Sequence, residues 1–241
     1  MAQTPPVVFH YFDARGRGQF VRYYFRARGV PYKDERVPLT PGFPEWIAIR
    51  GDRARVGPFH KLPVLHWGDR KVAETFVIYT FLHRALGDEA LLADDENLRH
   101  SMLVSTLYVD VMVQLALLLW AEVSHAGVDL GALAKRTSDR LRSHCAYLDV
   151  TLDEWGWLAG ARSRPVMLAD TMLWEELDVV QHVFGEHFRL DDYPTLARAY
   201  RESAGRAAFE EVLRSQRLPV TGRGLPGEDE GIEKIRRLMS A

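Results

Sequence analysis

A mixed α/β segment followed by an all-helical one is the fold class that this 241-residue chain predicts. Three observations carry the prediction. Up to residue 87, apolar runs of strand length alternate with helical patterns. From Glu96 onward only helical periodicity is found. Glycine and proline punctuate the first part densely, and cluster again after residue 218.

The elements follow in order. Residues 7–10 (Val-Val-Phe-His) are an apolar run of strand length. Residues 18–28 read as a helix closed by Gly29, because glycine readily takes the left-handed geometry that ends helices. Residues 32–37 form a second, more polar strand. Residues 38–60 are a long connection carrying Pro38, Pro41, Gly42, Pro44, Gly51, Gly57 and Pro58. Connections of that length without strong structure are usually functional or mobile. Residues 63–66 and 70–73 flank Trp67-Gly68-Asp69 and read as a tight hairpin. Residues 74–86 are an amphipathic helix with Phe76, Ile78, Tyr79, Leu82 and Leu86 as its apolar positions.

The order β-α-β, connection, β-β-α is that of a thioredoxin-like domain, assigned to residues 1–87, with a linker at 88–95. Helices are expected at 95–124, 129–154, 169–185, 194–203 and 205–216, which makes 96–218 an all-α domain. The tail, 219–241, opens with a Gly-, Pro- and acid-rich stretch typical of flexible linkers. It then recovers a helical stripe in Ile232, Ile235, Leu238 and Met239. That stripe either covers a neighbouring apolar site as a lid or packs on its own domain.

Composition narrows the function classes. Hydrophobic residues make up 47% and charged residues 27%, as in ordinary soluble globular proteins. A net charge of −2 gives no electrostatic case for nucleic acid. The opening Met1-Ala2-Gln3-Thr4-Pro5-Pro6 has no basic stretch followed by an apolar run, so no secretory signal is expected. Cys145 is the only cysteine, which rules out an intramolecular disulfide and paired-cysteine exchange, and fits a reducing, cytoplasmic compartment. Residues 102–123 are strongly apolar, but Ser105, Asp110, Gln114 and Glu122 interrupt them. A buried helix rather than a membrane span is therefore expected. The nine histidines show no metal-ligand spacing, so no metal is expected.

The segment with chemical content is Tyr11-Phe12-Asp13-Ala14-Arg15-Gly16-Arg17-Gly18-Gln19. A strand that stops at a tyrosine and turns through glycines into a helix puts a phenol at a strand–helix junction, where small ligands bind in α/β folds. Lys61-Leu62-Pro63-Val64-Leu65 precedes the hairpin, and Glu74-Thr75 opens the helix behind it. A helix N-terminus with free N–H groups favours carboxylates, and Leu-Pro is a place for a cis peptide bond. A tyrosine at a strand end also serves simply to cap the core, and Thr and Glu are ordinary helix-start residues. The combination of three segments favours the ligand-binding reading.

These residues resemble the cytosolic glutathione transferases. Residues 11–17 look like the tyrosine-type signature of the sigma, alpha and mu classes, with Asp13 where asparagine is usual. Residues 61–65 with Glu74-Thr75 look like the family's glutathione-holding segment. The resemblance implies a homodimer that conjugates glutathione, as co-substrate, to a small hydrophobic electrophile. It implies that Tyr11 keeps the glutathione sulfur anionic, assisted by Arg17. It gives Leu62 a backbone contact with the cysteinyl part, made through a cis Pro63, and Glu74 and Thr75 the γ-glutamyl end. Trp46, Arg50 and Lys61 are candidates for the glycyl carboxylate, and Trp46 also suits a packing role. Tyr108, Met112 and Leu115 would line the electrophile pocket, and Asp110 is a candidate for reaching the partner subunit's glutathione. Arg15 reads as a structural salt-bridge partner. Asp170 reads as structural too, with Met167 where the family's capping box has Ser or Thr. A glutathione-dependent isomerase of the prostaglandin-synthase type, or a non-catalytic binding protein on the same fold, is the alternative function.

Overall fold

A computed structural model describes residues 5–40, 42–124, 127–161, 164–202 and 228–240, with the single positions 207 and 210. The helix expected over 205–216, apart from positions 207 and 210, and most of the 219–231 stretch lie outside the described residues. Four strands form one mixed sheet in the order β2-β1-β3-β4. They are β1 (Val7–Phe12), β2 (Lys33–Val37), β3 (Val64–Trp67) and β4 (Arg70–Ala73). β1 is central, parallel to β2 and antiparallel to β3, and its residues read as a continuous apolar run because both of its faces are covered. Phe9 and Tyr11 face one side, stacked at 6.3 Å, while His10 faces the other, against His66 and Glu35.

Helix α1 (Gln19–Ala27) crosses from β1 to β2 with residues 19–25 all buried. The long connection is more ordered than its composition suggests. It holds two short helices, α2 (Pro44–Ile49) and α3 (Arg53–Val56). Pro44 opens α2, where a missing N–H costs nothing. The Asp52 carboxylate accepts from the Ala54 N–H and starts α3. Gly68 at φ 57° makes the two-residue hairpin turn between β3 and β4. Helix α4 (Thr75–Ala85) packs against both strands of that hairpin.

The remaining elements are helical. α5 (Asp94–Thr106), a π-helical turn (Leu107–Met112) and α6 (Val113–Ser124) run on from one another. α7 (Leu130–Glu154), α8 (Trp157–Ala161), α9 (Leu168–Phe184), α10 (Pro194–Glu202) and a tail helix, α11 (Glu228–Ser240), complete the fold. By length and composition Asp94–Leu119 would suffice to cross a membrane. In the fold, its Leu103, Val104, Leu107, Val111 and Leu115 are buried against the surrounding core.

Nearly every residue of α9 is buried, which marks it as the spine of the second half. Its start is held by the Asp170 carboxylate, which accepts from the Met167 N–H (2.8 Å), the Trp157 indole (2.9 Å) and Arg164 (2.7 Å). Asp170 thus supplies one half of a capping box whose other half, at Met167, has no side-chain oxygen. α1 packs directly on α9, and this contact joins the sheet-bearing part to the helical part. Cys145 is buried in α7, and burial pushes its thiol up to about 12, so it is inert.

Candidate active site

The strand pairing brings three separated segments to one end of the sheet. His10 pairs with Val64, and Val64 pairs with Ala73. Tyr11 follows the first of these residues, Leu62-Pro63 precedes the second, and Glu74-Thr75 follows the third. They therefore share one edge, at the carboxyl ends of β1 and β4, where α/β sheets bind ligands.

Tyr11 is clamped by the turn that follows it. A Cβ on Gly18 would lie 2.4 Å from the Tyr11 ring, and one on Gly16, at φ 34°, would lie 2.7 Å from its hydroxyl. Only glycine fits either position. The Arg17 N–H donates to the Tyr11 hydroxyl oxygen at 2.9 Å, and the Tyr79 hydroxyl donates to the Arg17 carbonyl at 3.0 Å. Arg22, 2% exposed, locks the turn from beneath by donating to the carbonyls of Ala14 (2.6 Å) and Phe12 (3.0 Å) and to Asp34. The Tyr11 hydroxyl accepts one hydrogen bond, and its own hydrogen has no acceptor among the described residues. Burial pushes its pKa up, against the pull of the Arg17 N–H and charge, so it is a protonated donor at neutral pH.

The other sheet-edge residues take these places. The Leu62–Pro63 bond is cis. Glu74 holds φ 69°, a left-handed conformation that costs a non-glycine residue about 1–3 kcal/mol and is concentrated at functional sites. Thr75 is buried at the first position of α4, while Glu74 is exposed. Trp46 packs its ring edge-on to Phe12 at 5.3 Å. Arg50 and Lys61 are exposed, and the Arg50 carbonyl lies 2.8 Å from the His60 ring nitrogen.

A cavity of about 520 Å³ opens beside the Tyr11 turn. Of the residues singled out from sequence, it is lined by Tyr11, Arg17, Trp46, Leu62, Met112 and Leu115. Arg50, Lys61, Pro63, Glu74, Thr75, Tyr108 and Asp110 are outside its lining. The Tyr108 ring sits one layer behind, 5.9 Å from the Arg17 guanidinium. Asp110 points to the α7 side, accepting from the Thr106 hydroxyl (3.1 Å) and lying 3.5 Å from Arg140. α11 packs on α7 and α9, and no described residue of it lines the cavity.

Sequence reasoning missed the two acidic lining residues, Glu175 and Glu176 of α9, along with apolar ones such as Phe43, Leu119 and Val179. The available signal was a pair of acids set in the otherwise apolar run Met172-Leu173-Trp174 and Leu177, at positions whose neighbours a helix buries. Arg15, which the sequence marks as a salt-bridge residue, pairs with two acids of α9. Its guanidinium contacts Glu175 at two points (2.9 and 2.8 Å) and Asp178 at 2.6 Å, and it is 6% exposed. The Tyr200 hydroxyl donates to the other Asp178 oxygen.

No protein-family profile matches the chain. In sequence it is similar to a glutathione S-transferase of Plasmodium falciparum, 30% identical over 79 residues, 32% of this chain and 36% of that protein. It is also similar to S-crystallin 2 of Octopus vulgaris, 32% identical over 84 residues, 34% of this chain and 35% of that one. The chain thus spans about a third of the length of these curated relatives. In fold it is similar to monomeric Na-GST-3, a glutathione S-transferase of Necator americanus, with a TM-score of 0.70 at 20% identity over 88% of this chain and 97% of that one. Prostaglandin synthase D of Nilaparvata lugens gives 0.65 at 16% identity over 89% and 100%. These likenesses show the fold, a thioredoxin-like unit followed by a helical one, the architecture of glutathione S-transferases.

Proposed function

We propose that the chain is a glutathione transferase, in which the Tyr11 hydroxyl keeps the glutathione sulfur anionic for attack on an electrophile held in the adjoining cavity. The observation that carries this reading is the uncommitted Tyr11 hydrogen. The hydroxyl oxygen already accepts from the Arg17 N–H, an arrangement that strengthens it as a donor. A free thiol has a pKa of about 8.5, so little thiolate exists at neutral pH. Lowering it by about two units takes about 2.7 kcal/mol, within reach of a charge-assisted hydrogen bond reinforced by a nearby cation. Arg17 is that cation, lining the cavity beside Tyr11.

The tripeptide would lie along the shared sheet edge. Leu62 would pair with its cysteinyl backbone as an added strand. The start of α4, at Thr75, would hold the γ-glutamyl carboxylate, and Glu74 the amino group. Trp46, which lines the cavity, and the exposed Arg50 and Lys61 would be the candidates for the glycyl carboxylate. Met112 and Leu115 would meet the electrophile. Tyr108 would act through Arg17, and Asp110 has local partners that give it a structural role instead of one in a partner's site. A homodimer in a reducing, cytoplasmic setting completes the proposal, although Na-GST-3 is described as monomeric. Sedimentation would decide the assembly state.

Tyr11→Phe is expected to bind glutathione within about threefold of the parent and to lose about ten- to a hundredfold in kcat/KM with chlorodinitrobenzene. Unchanged turnover would overturn the role of Tyr11. The S-crystallin and prostaglandin-synthase likenesses favour a second reading, binding without conjugation or isomerisation. Glutathione is consumed in conjugation, regenerated in isomerisation and untouched in mere binding, so its stoichiometry separates the three.

A further inference from the structure

Three phenols hold Arg17. Its N–H donates to the Tyr11 oxygen at 2.9 Å, its carbonyl accepts from the Tyr79 hydroxyl at 3.0 Å, and its guanidinium lies 5.9 Å from the centre of the Tyr108 ring. The second contact comes from α4, 62 residues further along the chain.

Arg17 stands between two glycines, and a side chain on either would strike the Tyr11 ring or hydroxyl. The turn that admits the ring is therefore also the stretch of backbone with the greatest intrinsic freedom. The glycines seat the ring, but they do not fix where the Arg17 N–H points, because a peptide beside glycine rotates at little steric cost. That direction needs a restraint from outside the turn, and the Tyr79 hydroxyl is placed to give it.

Tyr79 is itself firmly held. It is 1% exposed, and its ring meets Phe20 of α1 edge-on at 4.8 Å and Tyr108 at 6.3 Å. Burial pushes its pKa well above the ordinary value, so the hydroxyl remains a donor. A phenylalanine would fill nearly the same space with no polar atom to satisfy. Thr75 lies four residues earlier, on the same face of α4. The helix whose start would hold the γ-glutamyl carboxylate thus also reaches the backbone behind the sulfur's donor.

We propose that Tyr79 is a positioning residue for the reacting thiol: its hydroxyl holds residue 17 so that the Arg17 N–H stays on the Tyr11 oxygen and the Arg17 side chain stays on the cavity wall. This rests on the reading of Tyr11 given above. Tyr79 is outside the cavity lining and touches neither sulfur nor electrophile. It acts through the peptide. An N–H on the phenol oxygen polarises the O–H and strengthens it as a donor to sulfur. Without the Tyr79 bond, residue 17 samples other orientations, the Tyr11 oxygen loses its partner for part of the time, and the sulfur ionises less readily.

The test follows the ultraviolet absorbance of the thiolate of bound glutathione across pH, in the full-length parent and in Tyr79→Phe. The pKa of the bound sulfur is expected to rise by about 0.5–1 in the variant, with the glutathione Kd within about threefold of the parent. At about pH 6, kcat/KM with chlorodinitrobenzene should fall about three- to tenfold, and the gap should close above about pH 9, where the sulfur ionises unaided. Tyr24→Phe is the control. It removes another buried phenol, one that donates to Asp88 away from the turn, and should lower the melting temperature without moving the sulfur's pKa. If Tyr79→Phe behaves like this control, Tyr79 only packs and the proposal is overturned. Should Tyr79→Phe not fold, amide hydrogen exchange in the parent decides: an Arg17 N–H as protected as the core amides of α4 supports the proposal, and one exchanging as fast as in an unfolded chain overturns it. A parent that ionises bound glutathione no more readily than free glutathione would sink the reading of Tyr11. A lowered sulfur pKa shared equally by parent and Tyr79→Phe would sink this inference alone.

Discussion

The two walls of the cleft are built by opposite means. On the sheet side, Tyr11 is positioned by the backbone that follows it within seven residues, through two glycines and one peptide N–H. On the helical side, the lining comes from side chains of α6 and α9, about sixty residues apart in the chain, and from the π-helical turn. One wall is a local motif, and the other exists only after tertiary packing. The difference teaches that the Tyr11 wall is fixed by its own sequence, while the opposite wall is fixed only by how the helices pack.

Arg15 gives the hardest test of this contrast, since it spans both walls from the turn to α9. Arg15→Ala strands two carboxylates, Glu175 and Asp178, in a largely buried setting. Removing one partner of such a network costs about 3–5 kcal/mol, which urea denaturation would register. A loss under about 1 kcal/mol would show that the walls are joined elsewhere.

Gly18→Ala addresses the local wall alone. The new methyl group meets the Tyr11 ring at 2.4 Å, so overpacking should cost about 1–3 kcal/mol and displace the phenol. Gly51→Ala is the matched control, with nothing within 4 Å of its added carbon, and should stay within about 0.5 kcal/mol. Equal melting points for the two variants would deny that the turn clamps Tyr11.

The smallest effect concerns the seating of α9. The His100 ring nitrogen accepts from the Ala169 N–H at 3.4 Å, and the ring stacks on His83 at 4.1 Å. Burial, with His83 and Arg164 adding to it, holds its pKa down at about 3. A folded pKa below the ordinary 6.5 means no penalty above that pH, and a growing loss of stability as pH falls toward about 3. At about pH 5.5 the loss is about 1 kcal/mol. His100→Gln should shrink the stability difference between about pH 7.5 and about pH 5.5 by that amount. Parallel losses in parent and variant would assign the acid limb to other groups.

Legibility in the sequence followed the same division. The strands and the glycine turn were readable because each is encoded by neighbouring residues, whereas the cis Leu62–Pro63 bond was expected from the family resemblance, Leu-Pro alone marking only a place for one. α2 and α3 were not, since each is under seven residues and rests on packing, such as Trp46 against Phe12, more than on periodicity. The π-helical turn at Leu107–Met112 left no trace in an apolar run that reads as one unbroken helix. Glu175 and Glu176 were not singled out, because their place in the cavity wall depends on the packing of α1 on α9 and not on neighbouring residues.

The clamp on Tyr11 has a consequence for how such proteins diverge. A phenol whose seat depends on two missing side chains and on Arg22 gripping the loop beneath leaves selection almost nothing to vary there. The opposing helices line the cavity with side chains alone, so exchanges on α6 or α9 would reshape the crevice while the turn that holds Tyr11 stays as it was. Descendants of one ancestor can then part ways in diet long before they part ways in shape.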